Sequence, residues 1–155
     1  DGTQMAKQSI HTQFGPLTVT ENDGAITALD WQWAPHQDST PLLDEAAAQL
    51  AAYAAGTRTL FDLPLRVKGT KMQRQVCDAM CKIPFGDTVT YGEIADALGI
   101  SARSVGQACG HNPIPIVIPC HRVMGVKGLT GFSGAGGVET KVALLRHEGA
   151  AGLLI

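Results

Sequence analysis

Residues 9–34 read as strands, from alternating hydrophobic and polar positions interrupted by a turn. Phe14-Gly15-Pro16-Leu17-Thr18-Val19-Thr20 carries the alternation, Asn22-Asp23-Gly24 supplies a hairpin turn, and Ala25 to Trp31 is the return strand. Polar, proline-bearing residues 34–41 form a loop. The period then lengthens. Leu43, Ala46, Ala47, Leu50 and Ala54 recur at helical spacing across Leu42–Ala55, and Gly56 ends that helix. Leu60–Leu65 has the length of one more short strand, and the stretch from Leu63-Pro64 onward reads as a linker.

Beyond the linker the pattern is mostly helical. Met72, Val76, Ala79 and Met80 mark the inward face of a helix over 71–82, and Pro84–Asp87 is a turn. Thr90-Tyr91-Gly92-Glu93 is a capping box that opens a helix running to Leu98 and stopped by Gly99. Ser101 caps a second helix, Ala102 to Cys109, stopped by Gly110. Two short helices joined by a glycine-containing turn form the helix-turn-helix pattern, which is also a common way to pack two helices. Arg103, Ser104 and Gln107 face away from Val105 and Ala108, so one long cation stands among small and polar residues. Pro113, Pro115 and Pro119 exclude helix, and Ile116-Val117-Ile118 between them reads as a buried strand. That strand presents Cys120 at its tip, rigidly held and partly reachable. A glycine-rich loop over 125–137 follows. The last helix is Val138 to His147, with Val138, Val142 and Leu145 inward and Gly149 past its end.

Charge divides the chain where the pattern does. Up to Pro64 there are two basic and eight acidic residues, a net of −6; from Leu65 there are ten and six, a net of +4. The overall −2 thus conceals a basic second unit suited to an anionic partner. With 155 residues and 45% hydrophobic content, two small domains are affordable, and we read them as 1–64 and 65–155. No apolar run approaches the roughly 20 residues that span a bilayer, so no membrane partner is expected. The cysteines (Cys77, Cys81, Cys109 and Cys120) all lie in the second unit without the spacing of a disulfide framework, which points to a reducing cytoplasm. Cys77 and Cys81 are one helical turn apart, but no CxxC pair or histidine cluster accompanies them. They read as buried structural thiols, and neither a metal nor a cofactor is implied.

The chemistry concentrates at Pro119-Cys120-His121-Arg122. A thiol attacks as thiolate, so it needs a base and a cationic or hydrogen-bonding setting. His121 is the adjacent base. Neighbours in a strand point apart, so a Cys–His contact requires the chain to turn after Pro119, or a bridging water. Glu148 sits at a helix C-terminus, where the macrodipole disfavours a carboxylate, so it is either a hydrated surface group or one kept to orient an imidazole.

Six ordered motifs now carry a resemblance. They are Tyr91–Ala95 (Tyr-Gly-x-Ile-Ala), Ala102-Arg103-Ser104-Val105-Gly106, Gly110-His111-Asn112-Pro113-Ile114-Pro115, Ile118 to Val123, Thr130-Gly131-Phe132-Ser133, and Leu144 to Gly149. Over 69–149 the chain resembles the methylated-DNA–protein-cysteine methyltransferases, the O6-alkylguanine-DNA alkyltransferase family. Residues before 69 are similar only through Phe14-Gly15-Pro16-Leu17 and size. The resemblance implies an α+β protein: a small ribonuclease H-like strand/helix domain followed by a helical winged helix-turn-helix domain. It implies binding, as a monomer, to double-stranded DNA containing O6-alkylguanine from the minor-groove side, with the damaged base flipped into a pocket. Cys120 matches the acceptor thiol, His121 the base acting through a water, and Glu148 its orienter. Tyr91 matches the tyrosine that meets the turned backbone and protonates guanine N3, and Asn112 the hinge asparagine. Arg103 matches the arginine that fills the vacated stack, on a helix whose Ser101, Ala102 and Gln107 also meet DNA. Pro115 matches pocket wall, Val123 a residue whose carbonyl reads the guanine amino group, and Ser133 a residue near O6. The chain departs from the family pattern in the short turn before Ser101, in the extra Gly134-Ala135, in Phe132 where many relatives have tyrosine, and in Met72 and Cys77 where they have aromatics.

The implied reaction is stoichiometric, irreversible transfer of a methyl or alkyl group from O6 of guanine (O4 of thymine is a further candidate) to Cys120. The alternative is a non-enzymatic module that recognises alkylated bases; relatives of that kind lack the cysteine that Cys120 supplies. A transcriptional regulator would need more base-reading side chains on the second helix. A cysteine hydrolase would leave the helix pair unexplained.

Overall fold

Strands β1 (Met5–Thr12), β2 (Gly15–Asn22) and β3 (Ala25–Asp30) form an antiparallel sheet in the order β1-β2-β3. The computed structural model describes residues 5–125 and 137–150. The β2–β3 turn places Asp23 and Gly24 at φ 50° and 80°, the paired left-handed residues that a tight hairpin needs to match strand twist. Helix α1 (Pro41–Ala54) packs on β1 and β2. Thr40 Oγ1 accepts from Leu43 N at 3.0 Å, and proline occupies the first turn, where no N–H is needed.

The buried face of α1 differs from the periodic expectation. Leu43, Ala46 and Leu50 are inside, but Gln49 and Tyr53 join them, while Ala47 and Ala54 are half-buried. Gln49 is tolerated because both ends of its amide are used. Nε2 donates to Glu45 Oε2 (2.7 Å) and Asp62 O (3.1 Å), and Oε1 accepts from Asp62 N (2.9 Å).

Residues 60–65 do not form a strand. A single bridge joins Leu65 to Ile26, with Ile26 N donating to Pro64 O and Arg66 N to Ile26 O. Those bonds tie the chain through Arg66 to β3. The structure accordingly divides into Asp1–Lys68 and Gly69–Ile155, four residues later than the charge reversal suggests.

The second unit contains α2 (Lys71–Cys81), β4 (Val89–Thr90), α3 (Tyr91–Leu98), α4 (Ala102–Gly110), β5 (Val123–Met124) and α5 (Val138–His147). β4 and β5 pair in parallel. The helix-turn-helix is α3–α4. Gly99, left-handed at φ 69°, ends α3, and Ser101 Oγ caps α4 by accepting from Ser104 N. The capping box of α3 is complete: Glu93 N donates to Thr90 Oγ1 at 3.1 Å, and Thr90 N to Glu93 Oε1 at 2.9 Å. Thr90→Ala is expected to cost about 1 kcal/mol, seen as a lower urea midpoint with unchanged slope.

Two inward faces also differ. On α2, Val76, Cys77 and Met80 are buried, whereas Met72 is exposed and Ala79 half-buried. Cys81 is exposed rather than a buried structural thiol. On α5, Thr140, Lys141, Leu144 and Leu145 are buried, Val142 is half-buried and Val138 is exposed. Among the described residues, no helix is long and apolar enough to cross a membrane.

Candidate active site

The segment Ile114–Pro119 is buried as expected, but it is not a strand. It folds back on itself: Ile118 N donates to Ile114 O (2.8 Å), Val117 N to Pro115 O, and Cys120 N to Ile118 O. Pro115 and Pro119 leave too few N–H groups for a ladder, so the chain satisfies itself locally. Ile116 is left-handed at φ 71°, which costs about 1–2 kcal/mol for a β-branched residue. Full burial of such a side chain is worth about 1.5–3 kcal/mol and offsets that strain. Asn112 closes the loop, with Nδ2 donating to Ile118 O (2.8 Å) and Oδ1 accepting from Ile114 N (3.0 Å). Pro115 is buried within it.

The turn that a Cys–His partnership requires is present. Cys120-His121-Arg122 is a single 3-10 turn directly after Pro119, with Arg122 N donating to Pro119 O. Cys120 is only 5% exposed, so the thiol is enclosed rather than partly reachable. His121 is fully buried, and its Nε2 lies 2.7 Å from Glu148 Oε2. Arg122 Nε donates to Glu148 Oε1 (2.8 Å), its second terminal nitrogen to Oε2 (3.0 Å), and the other to Ile83 O. Glu148 is thus no hydrated surface group. It caps α5 from inside the unit, and two cationic or donor side chains offset its poor place on the helix dipole. Gly86 comes close beside it; at φ 88°, a Cβ there would stand 3.4 Å from Glu148 O.

The protonation pattern follows. Glu148, gripped at both oxygens by a guanidinium, is an acceptor only, so His121 carries its proton on Nε2. Nδ1 is then the lone-pair nitrogen, and among the described groups it has no hydrogen-bond partner. Burial pushes the His121 pKa below its ordinary value despite the Glu148 carboxylate. Burial also raises the Cys120 thiol, against which a hydrogen bond from Asn112 and the charge of Lys141 pull it down. The resting pair is therefore neutral thiol and neutral imidazole.

The structure brings together Cys120, His121, Glu148 and Asn112. Val123 and Tyr91 join them through Lys141, whose Nζ donates to Val123 O (2.7 Å) and lies 5.9 Å from the Tyr91 ring centroid. Ser101, Ala102, Arg103 and Gln107 are exposed along α4. Phe132 and Ser133 lie outside the described residues. Sequence reasoning assigned no role to Arg122 or Lys141. The spacing 141-144-145-148, one stripe of α5 ending at Glu148, is the signal that marks Lys141 as inward.

This enclosed thiol with a base, a carboxylate and a helix-turn-helix in one unit agrees with comparisons to known proteins. The family described as 6-O-methylguanine DNA methyltransferase, DNA binding domain, matches residues 71–150, and its ribonuclease-like domain matches residues 5–67. The chain belongs to the 6-O-methylguanine DNA methyltransferase family. It is 43% identical over 151 residues to a methylated-DNA–protein-cysteine methyltransferase of Mycobacterium tuberculosis, covering 91% of this chain and 90% of that protein. It is 41% identical to the constitutive one of Bacillus subtilis, covering 88% and 91%. Among solved structures it matches the Mycobacterium tuberculosis O6-methylguanine methyltransferase with a TM-score of 0.85 at 39% identity, over 94% of this chain and 93% of that one. A second match, the Mycobacterium tuberculosis protein in complex with DNA, has a TM-score of 0.83 at 42% identity, over 93% and 92%.

Proposed function

We infer that the protein repairs DNA directly, by moving a methyl or larger alkyl group from O6 of guanine to its own Cys120. The observation that carries this reading is the enclosed Cys120 thiol at the head of the 3-10 turn, beside the His121–Glu148–Arg122 array. His121 Nδ1 takes the thiol proton, directly or through a water. The thiolate attacks the alkyl carbon in line; the S–C bond forms as the C–O6 bond breaks, and the electron pair leaves on guanine. Tyr91 protonates guanine N3 as that charge develops, and the thioether is inert, so each molecule acts once. A non-enzymatic recognition module has no use for this proton path.

Double-stranded DNA is the partner, met from the minor-groove side by the exposed face of α4. Its base must leave the stack to reach a thiol this enclosed. Arg103 fills the gap left behind, with Ser101, Ala102 and Gln107 along the backbone. Pro115 forms pocket wall, and the Val123 carbonyl accepts from the guanine amino group. We propose a monomer, working in the cytoplasm, where the four free thiols stay reduced. Residues 69–155 then carry DNA binding and acceptance, with 1–68 as a structural domain.

Methyl transfer from a labelled O6-methylguanine duplex tests the reading: incorporation saturating at one per protein supports it, and continued turnover or none contradicts it. Arg103→Ala separates binding from chemistry. Repair of the duplex is expected to slow roughly 10²-fold through lost base positioning, while reaction with a free O6-alkylguanine base is unchanged.

A further inference from the structure

The turn between α2 and β4 meets the His121–Glu148–Arg122 array at three points. Ile83 O accepts from Arg122 Nη1 at 2.6 Å, the Phe85 ring centroid lies 5.8 Å from Arg122 Cζ, and Gly86 N donates to Glu148 Oε1 at 3.5 Å. With Nε and the second terminal nitrogen on Glu148, the edge of the guanidinium is engaged all round, and its faces remain. Phe85 takes one of them, the arrangement in which a guanidinium plane meets an aromatic ring. Arg122 is enclosed while the ring over it is half-buried, so the ring is part of that enclosure. Glu148 Oε2 is shared by His121 Nε2 and Arg122, so the seat of the guanidinium sets how much negative charge the imidazole meets. Among the described groups, Arg122 and Lys141 both favour the neutral imidazole, and Glu148 favours the charged one. From α2, which also packs on the 3-10 turn, come the thiols of Cys77, near Cys120, and Cys81, near Arg122, both raised by burial and protonated.

We propose that Phe85 is a positioning residue for the transfer: its ring holds the Arg122 guanidinium on Glu148 and, through that pair, keeps the His121 imidazole neutral and turned to accept the thiol proton. This rests on the reading that His121 is the base for Cys120, and it adds what keeps that base available. The sign follows from the shared carboxylate. Without the ring the guanidinium is free to tilt away from Glu148. The imidazole then loses a neighbouring positive charge and gains a larger share of the carboxylate, both of which favour imidazolium. A protonated His121 takes no proton, so the base is lost at a higher pH than in the wild-type protein.

The test is single-turnover methyl transfer from a saturating O6-methylguanine duplex, followed across about pH 5–8, where histidines titrate, with urea unfolding of the same samples. In Phe85→Leu the acid limb of the rate profile is expected to move to higher pH. Rates on that limb fall about three- to tenfold, the worth of a partly enclosed cation–ring contact, while the plateau above it changes less than about twofold. Phe85→Tyr keeps a ring and is expected to keep the wild-type limb. A limb that stays put in Phe85→Leu, with the rate lowered equally at every pH or only the urea midpoint lowered, overturns the proposal and makes Phe85 a packing residue. A limb that moves as far in Phe85→Tyr as in Phe85→Leu overturns it as well. A wild-type protein that transfers no methyl group, or transfers it without an acid limb, overturns instead the reading on which the proposal rests. Should Phe85→Leu fail to fold, Phe85→Met carries the same expectation, and an unmoved limb there overturns the proposal.

Discussion

Cys120→Ala is expected to abolish methyl acceptance while lesion binding persists. The proposed binding face is α4 and its N-cap: Ser101, Ala102, Arg103 and Gln107 are exposed and lie outside the 3-10 turn that carries the thiol. The substitution removes one buried sulfur, a loss of about 1 kcal/mol, so the fold survives. The effect should be specific to this cysteine. Burial pushes the Cys77 thiol up to about 11 and Cys109 up to about 12, and at neutral pH both are protonated. Cys120 is also raised by burial, but it has an Asn112 donor and a neighbouring imidazole with its lone pair free. Gel-shift binding to an O6-methylguanine duplex, with methyl incorporation measured on the same samples, checks the expectation. Incorporation retained by Cys120→Ala would contradict the assignment outright.

Glu148→Gln is expected to damage both stability and chemistry. The carboxylate is the shared acceptor for His121 Nε2 and for two Arg122 donors, all enclosed. A glutamine offers one acceptor oxygen and no charge, leaving a buried guanidinium without its counterion. Breaking a buried pair this way costs about 3–5 kcal/mol, a large share of a small domain's total. The imidazole also loses the group that fixes its proton on Nε2 and supports positive charge on the ring as it accepts the thiol proton. Transfer should slow about 10²–10³-fold, within the range for losing a positioned base. Urea unfolding and single-turnover kinetics read the two effects separately. Stability lost with the rate intact would make the array structural and remove His121 from the mechanism.

How much of this was legible beforehand depends on the physics of each segment. The span of α5, the α3 capping box and the Asp23-Gly24 hairpin were readable because caps, glycine stops and left-handed turns are local. Strand β1 begins at Met5, ahead of the alternation read from residue 9, because its outward positions are mixed in polarity. Apolarity at Ile114–Ile118 announced burial correctly. It did not distinguish a strand from a folded loop, since both hide the same side chains and only the missing proline donors tell them apart. Cys120, His121 and Glu148 were legible through their motifs, and the structure brings them together. Lys141 was missed because lysine is read as a surface residue, although its place in the 141-144-145-148 stripe points inward, where the Val123 carbonyl accepts from it. Gln49 escaped for a similar reason: the Asp62 backbone that uses both ends of its amide is supplied by the fold.

The central claim is that Cys120 is the alkyl acceptor. The most direct measurement is intact mass after mixing the protein with an oligonucleotide duplex bearing one O6-methylguanine, followed by peptide mapping. The account predicts a gain of one methyl group per protein, confined to the peptide containing Cys120 and saturating there. A protein that binds the lesion but gains no mass, or gains it at Cys77, Cys81 or Cys109, would contradict it.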